Sequence, residues 1–203
     1  MIKAVLFDFG GVLSEAGGRG TIRRAFGEAY GLDRDVMDVD DLYQKMWRGQ
    51  ITDEDFLAEV SRRNPGTPVL TAEQFRSHLD KFKRSEPVYD LVERLRAAGI
   101  KTAILSNVFG IGVGPIRSGG FYEGFDPVLL SCDTGLAKPE KEFYKMAIER
   151  LGAKPEEIIF IDDQEVCLEP AKKMGMHVIL AKSLEQIVRD TKAIIYKQNG
   201  INL

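Results

Sequence analysis

Cysteine is nearly absent from this chain, which carries only Cys132 and Cys167 in 203 residues. Far apart and without ligand-type spacing, they exclude a disulfide framework and a zinc site and read as core thiols. Basic residues are not in excess either. Lys and Arg number 28 against 31 Asp and Glu, a formal net charge of −3, so there is no broad positive field for nucleic acid or an acidic membrane. No apolar run is long enough to span a bilayer, and no charged, apolar, small-residue leader opens the chain. The expectation is a cytoplasmic protein with neither nucleic acid nor membrane as partner. Repeats and low-complexity segments are also missing. What is present is length, and a 44% hydrophobic, 29% charged composition is enough to bury a real core as one domain carrying an insertion.

The chain changes rhythm twice. The opening "IKAVLFD" is a buried strand emptying into a glycine turn. Residues 18–83 then carry only helical signals. Ile22, Ala25, Phe26, Ala29 and Tyr30 share one helix face, and Val39, Leu42, Tyr43, Met46 and Trp47 share another. Thr52 caps a third helix with Asp55 in its first turn and Phe56 and Val60 on its face. Thr71 with Gln74 forms a capping box ahead of Phe75, Leu79 and Phe82, and "KFKR" reads as the solvated end of that helix. His78 falls on the same apolar face and is expected to be packed, as is Trp47. From residue 84 on, helix and strand alternate through "VYDLVERLRAAG", "KTAILSN", "DPVLLS", "EKEFYKMAIERLG", "EEIIFIDD", "EPAKKMG" and "HVILA", with a last helix over about 183–197. This predicts an α/β protein, a doubly wound parallel sheet with an inserted four-helix cap. The core would comprise residues 1–16 and 84–203, and the cap residues 17–83. "FGIGVGPIRSGG" follows a strand, but Pro115 falls where a dinucleotide fingerprint needs its third glycine, and a flexible loop is expected there.

Ligands of open parallel sheets bind beyond the carboxyl ends of the strands. Those ends carry Asp8, then Ser106 and Asn107, then Asp162 and Asp163, with Lys138 on a loop just before a helix. Asp162 or Asp163 could also serve as a helix N-cap. Three carboxylates, a lysine and a hydroxyl at one edge make little sense as packing, because unpaired buried charge is expensive. A magnesium ion would offset the carboxylates' repulsion, and it prefers hard oxygens plus a phosphate. The partner implied is a small phosphorylated metabolite. The glycines after Asp8 permit positive backbone dihedrals and close approach of main-chain N–H groups to an anion.

The order "DFGGVL", "LSN", "KPE", "FIDD" resembles the haloacid dehalogenase-like (HAD) hydrolases, in the subgroup with a helical cap after the first motif. Within it, the chain is similar to the N-terminal phosphatase domain of soluble epoxide hydrolase and to bacterial sugar-phosphate phosphatases. Each motif alone is common by chance, whereas four in order at strand ends are specific. The resemblance implies that Asp8 is a nucleophile forming an aspartyl phosphate, and that Lys138 orients it and binds the phosphoryl group. It further implies phosphate contacts from Gly11, Ser106 and Asn107, and a magnesium site of Asp8, the Gly10 carbonyl and Asp163 helped by Asp162.

Two positions depart from the family's pattern. Its phosphatases usually carry a second aspartate two residues after the first, to protonate the leaving group and activate water. Here that position is Gly10, and loss of such help is worth ~10²–10⁴ in rate. Cys167 stands where relatives place a polar residue, which alters the hydrogen bonding around the metal. The leading expectation is therefore a magnesium-dependent phosphohydrolase, slow or partial to activated esters. The alternative is a phosphate-binding or regulatory protein without efficient turnover. Metal-free dehalogenation is disfavoured by Asp162 and Asp163, whose charge opposes departure of a halide. The insertion's apolar faces can all be used internally, so the pattern sets no oligomeric state, and no residue of it names the ester.

Overall fold

The computed structural model describes residues 1–15, 19–32, 39–79 and 81–203, with backbone alone for 19–23. The Ile22 side chain and the expected 16–17 boundary lie outside the described residues.

Among the described residues, five strands form one sheet: β1 (Ala4–Phe7), β2 (Lys101–Ser106), β3 (Val128–Leu130), β4 (Ile158–Asp162) and β5 (His177–Leu180). Their order is β3-β2-β1-β4-β5, and every pairing is parallel. Every residue of β1 and β4 is buried, as expected for strands covered on both faces. Alternation sorts them cleanly. Val5, Phe7, Ile104, Ile159 and Ile161 face one core with α5 (Glu86–Ala97) and α10 (Leu184–Asn199). Ala4, Leu6, Ala103, Leu105, Ile158 and Phe160 face the other with α8 (Lys141–Leu151) and α9 (Glu165–Lys173). The predicted doubly wound sheet is what the chain forms. Among the described residues, no helix is long and apolar enough to cross a membrane.

Between β1 and α5 lie α1 (Arg19–Tyr30), α2 (Asp40–Trp47), α3 (Asp53–Arg63) and α4 (Ala72–Arg76). They share a core built on Phe26, Tyr30, Tyr43, Phe56 and Phe75, with the Phe26 and Phe75 rings 5.0 Å apart. Both predicted caps form: the Thr52 hydroxyl accepts from the Asp55 N–H at 3.1 Å, and Thr71 and Gln74 make a reciprocal box. Trp47 packs on this core, its ring 5.8 Å from Tyr43.

The fourth helix is shorter than its pattern. It stops at Arg76, where the Ser77 hydroxyl turns back onto the Gln74 carbonyl at 2.7 Å, a local bond that competes with continued helix. Leu79 stays with the helical core, but Phe82 crosses to the sheet side and packs on Phe9 at 5.7 Å. The "KFKR" segment is therefore extended, because the Lys83 carbonyl accepts from Glu15 N–H at 3.1 Å and Ser85 N–H donates to Leu13 at 3.0 Å. His78 is left a third exposed rather than packed.

The expected loop at 110–118 is also corrected: it is helix α6 (Gly110–Ser118). Its glycines and Pro115 are poor helix formers, so partners outside the segment supply what it lacks. The Asp53 carboxylate, at the start of α3, packs on the first turn of α6 so closely that a Cβ on Gly110 would lie 2.5 Å from its Oδ1. Pro115 has no N–H to give the Ile111 carbonyl four residues back, and Arg76 Nε donates to that carbonyl at 3.3 Å. Ile111 is fully buried in the core of the inserted helices. A further short helix, α7 (Ser131–Thr134), follows β3 directly and takes up Ser131, the last residue of the expected strand "DPVLLS". The Ser131 hydroxyl bonds both Val108 N and O, at 3.0 and 3.2 Å, fixing the exit of β2.

Candidate active site

β1 is the middle strand, with β2 and β4 on either side, so the carboxyl ends of three central strands meet at the point where connections leave in opposite directions. Asp8, Ser106 and Asp162 occupy those ends. Asp8 is tied down by its N–H on the Ile161 carbonyl at 2.9 Å. The chain then curls tightly, the Phe9 carbonyl accepting from Val12, Leu13 and Ser14 at 3.4, 2.9 and 2.9 Å. Gly11 makes the curl possible. Its φ is +72°, and a Cβ there would sit 3.1 Å from Asp163 Oδ2. Its N–H, expected to face an anion, is instead engaged by the Ser14 carbonyl at 2.9 Å. Gly11 thus enters the site by having no side chain.

Lys138 is 5% exposed and stands between two carboxylates, its Nζ 2.9 Å from Asp8 Oδ1 and 2.5 Å from Asp162 Oδ2. Burial opposes its charge, but Asp8 and Asp162 outweigh that cost and hold the lysine well above its usual pKa. It also lies 5.5 Å above the Phe160 ring. The second oxygen of Asp162 accepts from Gln164 N–H at 2.8 Å, so both oxygens of this fully buried group have partners. Burial, and then the Asp8 charge, raise the Asp162 carboxyl, with Lys138 acting the other way. Asp163 is raised for the same two reasons.

Asp8, Asp162 and Asp163 each offer an oxygen within 4.8 Å of the other two. Lys138 offsets one of these three charges. The remainder is a hard-oxygen cluster whose donor chemistry fits a small divalent cation such as magnesium. Lys138, Asp8, Asp162 and Asp163 therefore converge as the motif order predicts, with Ser106 only 2% exposed at the adjoining strand end.

Asn107 sits beside Ser106 at the end of β2. Its amide is turned onto the Lys138 backbone: Nδ2 donates to the Lys138 carbonyl at 2.9 Å, and Oδ1 accepts from the Lys138 N–H at 2.8 Å. The Asn107 side chain is a two-point clamp on the lysine loop. Cys167 is buried, and burial pushes its thiol up to about 12. Its main-chain carbonyl accepts from the Tyr144 hydroxyl at 2.6 Å. Tyr144, Gln164, Glu140 and Arg48 all contribute to this neighbourhood without having been singled out from sequence. Gln164 directly follows Asp163 and Glu140 is the last residue of "KPE", so both could have been found there, whereas "MWRGQ" gives Arg48 no signal.

The family model described as haloacid dehalogenase-like hydrolase matches residues 2–175. A glyceraldehyde 3-phosphate phosphatase of Methanocaldococcus jannaschii is 31% identical over 116 residues, covering 51% of this chain and 50% of that protein. A HAD-like family hydrolase of Porphyromonas gingivalis, predicted as such, superposes with a TM-score of 0.83 at 28% identity, over 98% of this chain and 100% of that one. A HAD family enzyme of Bacteroides thetaiotaomicron, solved as a magnesium complex, gives 0.72 at 25% identity over 88% and 92%. The first curated relatives, bifunctional epoxide hydrolases among them, are much longer: this chain spans 13–39% of their lengths.

Proposed function

The chain belongs to the haloacid dehalogenase-like hydrolases, and we propose that it hydrolyses a small phosphate monoester through an aspartyl-phosphate intermediate. The observation that carries this reading is Lys138 Nζ at 2.9 Å from Asp8 Oδ1, inside a cluster of three carboxylates. A lysine alone would pair one aspartate. The surplus negative charge calls for a cation, and the position between lysine and cation suits a phosphoryl group.

Asp8 attacks phosphorus with a carboxylate oxygen. The bond to the ester oxygen breaks, and the leaving group departs with its electron pair. Lys138 orients Asp8 and neutralises part of the phosphoryl charge, while the Ser106 hydroxyl donates to a phosphoryl oxygen. Asp162 holds Lys138 in place. Asp8 and Asp163, with the Gly10 carbonyl and Asp162, are the groups that would hold magnesium, which supplies charge neutralisation on the transferring group. Water then attacks the phosphorus of the aspartyl phosphate, the bond between phosphorus and the Asp8 oxygen breaks to return the carboxylate, and inorganic phosphate leaves as the attacking water gives its proton to solvent. Gly10 cannot move a proton, so the leaving group takes its proton from water, and esters of acidic alcohols or phenols react best. In this reading residues 17–83 form a cap over a core of 1–16 and 84–203, excluding bulk water during the first step.

Phosphate release from a panel of small esters, with magnesium and with chelator, tests this. Release that needs both magnesium and Asp8 supports it, and release unchanged in Asp8→Asn sinks it. Gly10 favours one second reading, a phosphate-binding protein without efficient turnover. Magnesium-dependent binding of inorganic phosphate with no release from any ester would identify it.

A further inference from the structure

Among the described residues, Arg48 and Glu140 join the helical insertion to the lysine loop by a polar route. Arg48, just past the end of α2, is anchored on its own helix: Nη1 donates to the Gln44 carbonyl at 2.9 Å and to Gln44 Oε1 at 2.7 Å. Its other terminal nitrogen, Nη2, pairs with Glu140 Oε1. Glu140 uses its second oxygen in the opposite direction, accepting from the Ala137 N–H at 3.0 Å, and its own N–H donates to the Ala137 carbonyl at 2.8 Å. Ala137 is joined to Lys138, whose N–H and carbonyl are both clamped by Asn107. The side chains of Arg48 and Glu140 are 21% and 34% exposed, so the pair is sheltered rather than a fully solvated surface contact. Burial works against the Glu140 carboxylate, yet Arg48 and the Ala137 N–H together hold its pKa below the ordinary value.

A second contact fixes the same seat. Gly49, at φ +62°, lies against the Cys132 carbonyl of α7 so closely that a Cβ would collide with it. The turn after α2 is thus fitted to the sheet side where the lysine loop begins.

We infer that Arg48 is a positioning residue: through Glu140 and the Ala137 N–H it sets the loop that presents Lys138 to Asp8. Seating of α2 and placement of the reactive cation become one event. This rests on the phosphohydrolase reading above, and it needs no contact between Arg48 and substrate.

The experiment compares kcat and KM for p-nitrophenyl phosphate with magnesium in the natural chain, Arg48→Ala, Arg48→Lys, Glu140→Gln and the double variant Arg48→Ala/Glu140→Gln. Amide exchange at Ala137 and Lys138 is followed in the same proteins. Arg48→Ala is expected to lower kcat on the order of tenfold, with KM within about twofold. The double variant should be no worse than the weaker single variant, since one route is cut in two places. Arg48→Lys should recover part of the loss by keeping the charge without the fork. Ala137 exchange should quicken in Arg48→Ala. Losses that multiply in the double variant, a change in KM alone, or unaltered exchange would overturn the inference. If the natural chain releases no phosphate, the phosphohydrolase reading has failed, and exchange at Ala137 alone then decides whether Arg48 governs the loop.

Discussion

Replacing Lys138 with methionine should destabilise the protein in a way that depends on pH and on magnesium. The lysine lies 2.9 Å from Asp8 and 2.5 Å from Asp162, all three nearly or wholly buried. At an effective dielectric near ~20 each contact is worth roughly 6 kcal/mol of gross attraction, most of it offset by desolvation. Removing one partner strands the others, and the net cost of breaking a buried pair is about 3–5 kcal/mol. The sign of the pH dependence follows from Asp162 and Asp163, whose carboxyls are raised by burial and by Asp8. An acid with a raised folded pKa binds more protons folded than unfolded, so its contribution is complete below the unfolded value of about 3.9 and is lost as pH rises through the folded value. Without the lysine that loss deepens. Urea unfolding of the natural chain and Lys138→Met at pH 5 and pH 8, with and without magnesium, measures it. The variant's deficit should be near ~4 kcal/mol at pH 8, smaller at pH 5, and smaller again when magnesium is present. A deficit under about 1 kcal/mol, or one equal at both pH values, would refute the claim that Lys138 offsets buried negative charge.

Gly10→Asp should raise phosphate release from alkyl esters by roughly 10²-fold or more and from p-nitrophenyl phosphate by much less; equal gains on both would show that the missing proton is not the obstacle. Asn107→Leu removes two hydrogen bonds from the Lys138 backbone and should cost about 2 kcal/mol in urea unfolding, with kcat falling more than KM rises; a fall confined to phosphate affinity would return Asn107 to the donor role. Asp53→Ala removes the carboxylate packed on the first turn of α6 and should cost about 1 kcal/mol, read as faster amide exchange at Ile111; unchanged exchange there would mean α6 holds itself.

How far the sequence could be read varied with the range of the interactions involved. β1 and β4 were legible because alternation assigns Val5 and Phe7 to one face and Ala4 and Leu6 to the other with no outside help. Asp8, Lys138, Asp162 and Asp163 were legible because each follows a strand or opens a helix, and a parallel sheet must bring such ends together. The α6 segment was not, since the groups that pack on it and complete it, Asp53 and Arg76, are remote in sequence and local composition argues against a helix. For Asn107 the sequence conveys the location but not the role. Its location comes from the strand end, whereas the direction of the amide is set by the Lys138 peptide. Arg48 and Glu140 lie 92 positions apart, and no local pattern links them.

The two chain crossings between the inserted helices and the sheet run side by side, Glu15 N–H on Lys83 and Ser85 N–H on Leu13, with Ser14 paired to Arg84. The ends of the insertion are therefore closed by their own ladder, whatever length of chain hangs between them. Closure entropy grows only logarithmically, by about 0.6 kcal/mol for each doubling of length. Such a junction lets the segment between residues 15 and 83 be lengthened, shortened or exchanged in descent at little cost to the sheet. The sheet edge that carries Asp8 and Asp162 and the helices inserted beside it can then evolve at different speeds, on one chain.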